Sequence, residues 1–213
     1  MGARLGSQAV LVLLVSAVVL LGVLLRWLRP QLRGALGQAA VSRRLRRYCA
    51  KVADDLIVPD DHGGLTQIDH LALTPAGLVV VETKNYSGLI FGETRDSTWT
   101  QCIGRQRNKF QNPLRQNFGH TKAVEAIAAG VPVAGIVVFT DRARFPNGRP
   151  EGVLTLSELR SRYAPEKYIG VPHDYREGWN AVVARARLDP NARRDHLAAL
   201  RQRSSRGGNI TSR

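Results

Sequence analysis

The 213-residue chain is poor in sulfur and in acid. It has two cysteines, Cys49 and Cys102, and one methionine. Neither cysteine belongs to a C-x-x-C pair, which argues against a cysteine zinc site, and two thiols build no disulfide framework. They read as buried thiols of a reduced compartment. No internal repeat is present. Acidic residues number 17 against 31 basic ones, a formal net charge of +14. That excess favours anionic partners, either nucleic acid or anionic lipid head groups. Composition alone does not choose between them. Arginine greatly outnumbers lysine, and many arginines lie beside an apolar run or in the C-terminal tail. A hydrophobic content of 44% suffices for one core of ordinary size with appendages.

The longest apolar run, Ala9 to Leu25, is interrupted only by Ser16 and Gly22. At about 17 residues it is at the short end for a membrane helix. Trp27 and Leu28 extend it into the interface, Arg26 and Arg29 can snorkel, and Pro30 ends it. A cleaved signal peptide is the rival reading, but the small-residue sites near Ala39 lie well past the run, after several arginines. Arg4 precedes the run, whereas Arg26, Arg29, Arg33, Arg43, Arg44, Arg46 and Arg47 follow it. The positive-inside rule then places everything after Pro30 in the cytoplasm.

The most informative stretch is Gln67 to Lys84. Two strand-like runs flank a turn in which Pro75 presets φ and Gly77 closes. Val79, Val80 and Val81 favour a buried strand. Leu78, Val80, Glu82 and Lys84 share one face. Pairing Leu73 with Leu78 in antiparallel register sets Asp69 opposite Glu82 and Gln67 opposite Lys84. Opposed carboxylates repel, unless a hard divalent cation such as Mg²⁺ takes both as oxygen ligands. Lys84 on the same face could then stabilise phosphate charge. The alternative is a surface hairpin in which Lys84 pairs with either acid.

These residues also carry a family resemblance. Gln67-Ile-Asp69-His70, Pro75-Ala-Gly77 and Val81-Glu82-Thr83-Lys84-Asn85-Tyr86-Ser87-Gly88 resemble the signature of the nuclease-related domain, the NERD family. Asn112-Pro113-Leu-Arg-Gln116 resembles its second, weaker motif. The likeness covers roughly residues 34–140. The family is similar to the restriction-endonuclease-like, PD-(D/E)XK nucleases. The resemblance implies Asp69 and Glu82 as metal ligands for Mg²⁺ or Mn²⁺ and Lys84 as the catalytic lysine. One departure stands out: a glutamate often follows a glycine early in the family's first helix, and here Gly37 is followed by Gln38.

Elsewhere, Gly34 to Val52 is predicted to be an amphipathic helix with Leu36, Ala39, Ala40, Leu45, Tyr48 and Val52 inward and arginines between. Leu56 to Val58 forms a strand. Asp60, Asp61 and His62 read as loop residues rather than a metal cluster. Tyr86 and Trp99 read chiefly as packing, with base stacking as the other possibility. Arg105, Arg107 and Lys109 precede a helix capped by Asn112 and started by Pro113, running to about Ala129 with Leu114, Phe118, Val124 and Ile127 inward. Its start is a phosphate-site candidate. Gln67, Asn112, Arg115, Gln116 and His120 are the candidate substrate-binding residues. Residues 134–140 form a buried strand, an edge strand follows near Val153, and helices are predicted over 179–188 and 191–203.

The expectation is an α/β protein with a restriction-endonuclease-like mixed central sheet flanked by helices. Its parts are a short segment over 1–8, a transmembrane anchor over 9–29, the nuclease-like domain over 30–163, a helical extension over 164–203 and a basic tail over 204–213. The functional expectation is a membrane-anchored, metal-dependent nuclease acting on DNA. The alternatives are a nuclease-fold module that binds nucleic acid or a protein at the membrane without cleaving, and a membrane scaffold with no nucleic-acid ligand.

Overall fold

The computed structural model describes residues 16, 18–22, 25, 32, 34–60, 63–167 and 169–186. Most of the predicted anchor, Asp61 and His62, the predicted helix over 191–203 and the tail over 204–213 lie outside the described residues. The chain divides into two units, Met1–Leu36 and Gly37–Arg213. The described residues of the first are helical and exposed. Among the described residues, no helix is long and apolar enough to cross a membrane.

The second unit is built on two sheets. Helix α1, whose part in this unit is residues 37–48, leads into β1, Lys51–Pro59. Then follow β2, Leu65–Thr74, and β3, Gly77–Lys84. Strands β4, Gly88–Phe91, β5, Thr98–Ile103, and β6, Gln106–Gln111, precede helix α2, Pro113–Ile127. After it come β7, Val133–Phe139, β8, Ala143–Arg144, β9, Val153–Thr155, the short helix α3, Leu159–Tyr163, and α4, His173–Arg185. The first sheet has the order β1-β2-β3-β7-β9 and the second the order β6-β5-β4-β8. β1, β2 and β3 pair antiparallel, whereas β3, β7 and β9 run parallel, so the main sheet is mixed as expected. The second sheet was not anticipated.

The two faces of the main sheet bury different helices. Leu71, Leu73, Leu78 and Val80 pack with Val124 of α2 and with Trp179 and Val182 of α4. Ala72, Val79, Val81 and Val138 pack with Val41 and Leu45 of α1 and Leu159 of α3. A third cluster joins the sheets: the Trp99 ring stacks on Phe139 at 6.2 Å, and Tyr86 meets Phe110 edge-on at 4.7 Å. Trp99 is only 1% exposed, so it is core and not a base-stacking surface. Burial pushes the Cys49 thiol up to about 12, so at neutral pH it is an inert packing residue.

Two helix faces differ from the sequence pattern. In α1 the inward residues are Gly37, Val41, Ser42 and Leu45, while Leu36 and Ala39 are exposed. The helix also ends at residue 48, and Val52 belongs to β1. In α2 the inward face is Asn117, His120, Thr121 and Val124, and Phe118 is 63% exposed. The reason is polar docking. Asn117 Nδ2 donates to Val80 O at 3.2 Å and Ile136 O at 2.9 Å, satisfying sheet carbonyls that a phenyl ring could not. Gly135 on β7 permits this approach. A Cβ there would lie 2.5 Å from Thr121 Oγ1 and 3.1 Å from Asn117 Nδ2.

Gly135→Ala is therefore expected to lower stability by about 1–3 kcal/mol, although alanine ordinarily favours a strand over glycine. Urea denaturation followed by circular dichroism checks it; an unchanged or higher midpoint would refute the close-docking account.

Candidate active site

The site begins where the β2–β3 ladder stops. Leu73 faces Leu78 as the sequence predicts, and the pairing runs to His70 opposite Val81. Beyond that point β2 stays with β1, while β3 continues alongside β7. Side-chain alternation also breaks here. His70 and its partner Asp54 face α1, yet Ile68 and its partner Leu56 pack toward α2. Opposite the break Asp55 adopts φ 57°, a left-handed conformation that aspartate tolerates better than most residues. Asp69 lies at the point of divergence, and its Oδ2 accepts the Thr83 N–H at 2.8 Å. A side-chain oxygen thus replaces the backbone acceptor that the ladder no longer supplies.

Glu82 and Lys84 project toward α2, as alternation predicts. Glu82 is 4% exposed. Lys84 Nζ donates to Glu82 Oε1 at 2.6 Å and to Gln116 Oε1 at 3.0 Å. His120 Nε2 lies 3.5 Å from Glu82 Oε2, too far for a good hydrogen bond, and this buried nitrogen has no hydrogen-bond partner. Its Nδ1 contacts Thr66 Oγ1 at 2.7 Å. From the other side, α1 brings Gln38, whose Nε2 donates to Asp69 Oδ1 at 2.7 Å. Gly37 lets α1 come this close, since a Cβ there would lie 2.5 Å from Asn85 Cβ.

The electrostatics set the two acids apart. Burial, and then the Glu82 charge nearby, push the Asp69 carboxyl above its ordinary value despite the Thr83 N–H. Burial also works against ionised Glu82, but His120 and Lys84 prevail and hold its carboxyl below the ordinary value. A unit charge at about 4 Å contributes about 4 kcal/mol at an effective dielectric of about 20. Lys84 therefore compensates one carboxylate, and the second stays under-compensated.

The structure gathers Asp69, Glu82, Lys84, Gln116 and His120 at one place beside the end of the β2–β3 ladder. It does not bring in three other predicted residues. Gln67 falls on the opposite face, because alternation breaks at Asp69, and it donates to Asp55 Oδ1. Asn112 caps α2 as expected, but it is wholly buried, with Nδ2 spent on the carbonyls of Glu93, Thr94 and Asp96 and Oδ1 on Leu114 N. Arg115 is exposed and donates to Arg95 O, facing away from the Lys84 partner Gln116.

Sequence reasoning missed a buried relay behind the cleft. His70 is 1% exposed, with Nδ1 2.7 Å from Asp54 Oδ1 and Nε2 3.0 Å from Thr83 Oγ1. Ser42 and Arg46 of α1 both donate to Asp54 Oδ2 at 2.7 Å. The relay ties α1 to Thr83, the residue between Glu82 and Lys84 whose N–H holds Asp69. The only sequence signal was His70 beside Asp69, because contacts made across strands leave no local pattern.

Residues 33–140 match the family model described as the nuclease-related domain, NERD. The chain belongs to this family. Over 99 residues it is 41% identical to an uncharacterized protein of Bacillus anthracis, pXO1-01, covering 45% of this chain and 47% of that protein. Over 106 residues it is 34% identical to the probable kinase PglW of Streptomyces coelicolor, covering 46% of this chain but 7% of that protein. The chain thus spans about half the length of the first relative and a small part of the second. No solved structure gives a significant match.

Asp54 gives a test of the relay. Burial opposes its ionisation, but hydrogen bonds from His70, Ser42 and Arg46 hold its carboxyl well below the usual range. A depressed folded-state pKa stabilises the protein above the unfolded value of about 3.8, and the stabilisation is lost as pH falls through the folded value. Asp54→Asn should therefore lower the urea midpoint at neutral pH and flatten its decline below about pH 4. Parallel curves for the two proteins would show that the relay does not couple to folding.

Proposed function

We propose that the protein is a metal-dependent nuclease-like hydrolase that cleaves phosphodiester bonds, with DNA as substrate. The observation that carries this reading is the acid pair, Asp69 held by Thr83 N–H and Glu82 by Lys84, with Lys84 fixed between Glu82 and Gln116. The acid pair fits a hard divalent ion, which takes carboxylate oxygens and keeps several waters: Glu82 is buried and Asp69 half-buried, and His120 Nε2 beside Glu82 lacks a hydrogen-bond partner. Asp69 and Glu82 would hold the ion, Mg²⁺ or Mn²⁺, which when bound would supply Lewis-acid stabilisation of phosphate charge and a lowered water pKa. The chain's own residues do the rest. Lys84 turns its ammonium toward developing negative charge, and Gln116 fixes its direction. His120 stands beside Glu82 with Nε2 able to donate or accept a proton. Thr83 N–H orients Asp69, and the relay through His70 orients Thr83. The likeness of the family to the PD-(D/E)XK nucleases supports the same assignment.

The apolar run from Ala9 to Leu25 and the arginines after it support a further part of the proposal: a single membrane anchor over 9–29 with the enzyme on the cytoplasmic side.

Gln38 favours a second reading, a nucleic-acid or protein binder on a nuclease fold. Its amide covers Asp69 Oδ1, where a family glutamate would add a third carboxylate.

One assay separates the readings. Labelled linear, circular and single-stranded DNA and RNA are incubated with Mg²⁺, Mn²⁺ or EDTA. Asp69→Asn, Glu82→Gln and Lys84→Ala should each lose at least about 100-fold in cleavage rate while retaining DNA binding. Gln38→Glu should tighten Mn²⁺ binding measured by calorimetry, since it adds a charged oxygen ligand. Cleavage that survives the three substitutions, or a folded wild type that cleaves nothing, moves the assignment to the binder.

A further inference from the structure

The second sheet has an open outer face, and its side chains follow from the register. Arg144 on β8 pairs with Leu89 on β4, Leu89 with Cys102 on β5, and Cys102 with Arg107 on β6. Directly paired residues point to the same side of a sheet. One row across four strands is therefore Arg144-Leu89-Cys102-Arg107. The neighbouring row is Phe91-Thr100-Lys109. The opposite face is the buried one, carrying Ile90, Trp99 and Ala143. On the outer face Arg107, Lys109 and Arg144 are exposed, and so is Leu89, at 39%. No acidic residue lies in either row, and residues 97–124 contain no Asp or Glu at all.

The second sheet is joined to the site through both parent strands, β3, which carries Glu82 and Lys84, and β7 beside it. β3 ends at Lys84 and β4 begins at Gly88; β7 ends at Phe139 and β8 begins at Ala143. Thr140 N donates to Lys84 O at 3.1 Å, and Arg142 donates to Asn85 Oδ1 at 2.7 Å, which locks the two junctions together.

We propose that the outer face of the second sheet is a platform for a single nucleic-acid strand. Arg107 and Lys109 lie two residues apart on one strand, about 6.8 Å, so both can meet the backbone of one bound strand. Arg144 stands three strand spacings from Arg107, about 14 Å, leaving an apolar floor of Leu89 and Phe91 between basic rims. Basic rims that track a backbone, with an apolar and aromatic floor under the bases, suit an unpaired strand rather than a duplex, whose bases are not available to stack. Edge strands often carry lysine and arginine to block aggregation, which accounts for β6. β8 is the other edge of this sheet, so the same rule covers Arg144; it does not account for the exposed Leu89 between the two basic edges or for the absence of any acid from either row. That the platform leads a strand toward Glu82 and Lys84 rests on the nuclease reading; the binding face itself does not.

Fluorescence anisotropy of the full-length chain tests this, using a labelled oligothymidylate of about 20 nucleotides, the matching duplex, and phosphatidylcholine vesicles with and without phosphatidylserine. The Arg107→Gln, Lys109→Gln, Arg144→Gln triple variant should bind the single strand at least about tenfold more weakly. Its plot of log affinity against log salt should be shallower by about 2, since each neutralised phosphate of a single strand contributes about 0.7. Phe91→Ala, which leaves charge untouched, should lose at least about fivefold in affinity at an unchanged salt slope. Unchanged affinity and slope in the triple variant overturn the platform. So does a triple variant whose only loss is for duplex or for anionic vesicles. If no protein cleaves but the triple variant still loses the single strand, the platform stands and the nuclease reading falls.

Discussion

The hydrogen bond from Thr83 N–H to the Asp69 carboxylate marks the constraint on which the rest of the site depends. A β ladder that continued past His70 would satisfy Thr83 through backbone and leave Asp69 as one more strand residue. Instead the two strands part. A carboxylate fills the gap, and a buried backbone donor that would cost about 1–3 kcal/mol if left unpaired is satisfied by an acid. The same divergence creates the cleft and places Asp69 near Glu82. It also forces the left-handed turn at Asp55, so the strain and the site have one origin.

Two helices close that cleft by polar contacts rather than by apolar burial alone. From α1, Gly37 removes a side chain and Gln38 supplies an amide, while Ser42 and Arg46 grip Asp54. From α2, Asn117 and Thr121 dock on the sheet, which aims Gln116 and His120 at Glu82 and Lys84. The outcome is a small set of buried and half-buried charged groups with identifiable partners, of which Asp69 has only neutral donors, Thr83 N–H and the Gln38 amide, beside the Glu82 charge. Under-compensated charge of this kind is costly in a fold and is characteristic of functional sites.

Membership in the nuclease-related family agrees with this arrangement. The family model covers residues 33–140, which includes every residue of the cleft and of the relay behind it. Strand β9 and helices α3 and α4 lie beyond that span, yet Val153, Leu159, Trp179 and Val182 complete the three apolar clusters. Among the described residues, the part of the chain beyond residue 140 therefore supports the core.

Much of the architecture was legible in the residues. The turn at Pro75 to Gly77, the Leu73–Leu78 register, the shared face of Glu82 and Lys84 and the Asn112 cap all follow from period-2 alternation and short-range turn and cap chemistry. Those rules act within a few residues, so the sequence alone determined them. The break in alternation at Asp69 was not legible, because it depends on β2 following β1 while β3 follows β7. It moved Gln67 to the face away from Glu82 and Lys84. The inward face of α2 was misread for a related reason: polar Asn117 is buried only because Val80 and Ile136 carbonyls need donors there. The relay through His70, and the alignment of Arg107 with Arg144 across four strands, join residues far apart in the chain. Local pattern cannot encode such contacts; only the tertiary structure decided them, through which strands pair and where their pairing ends.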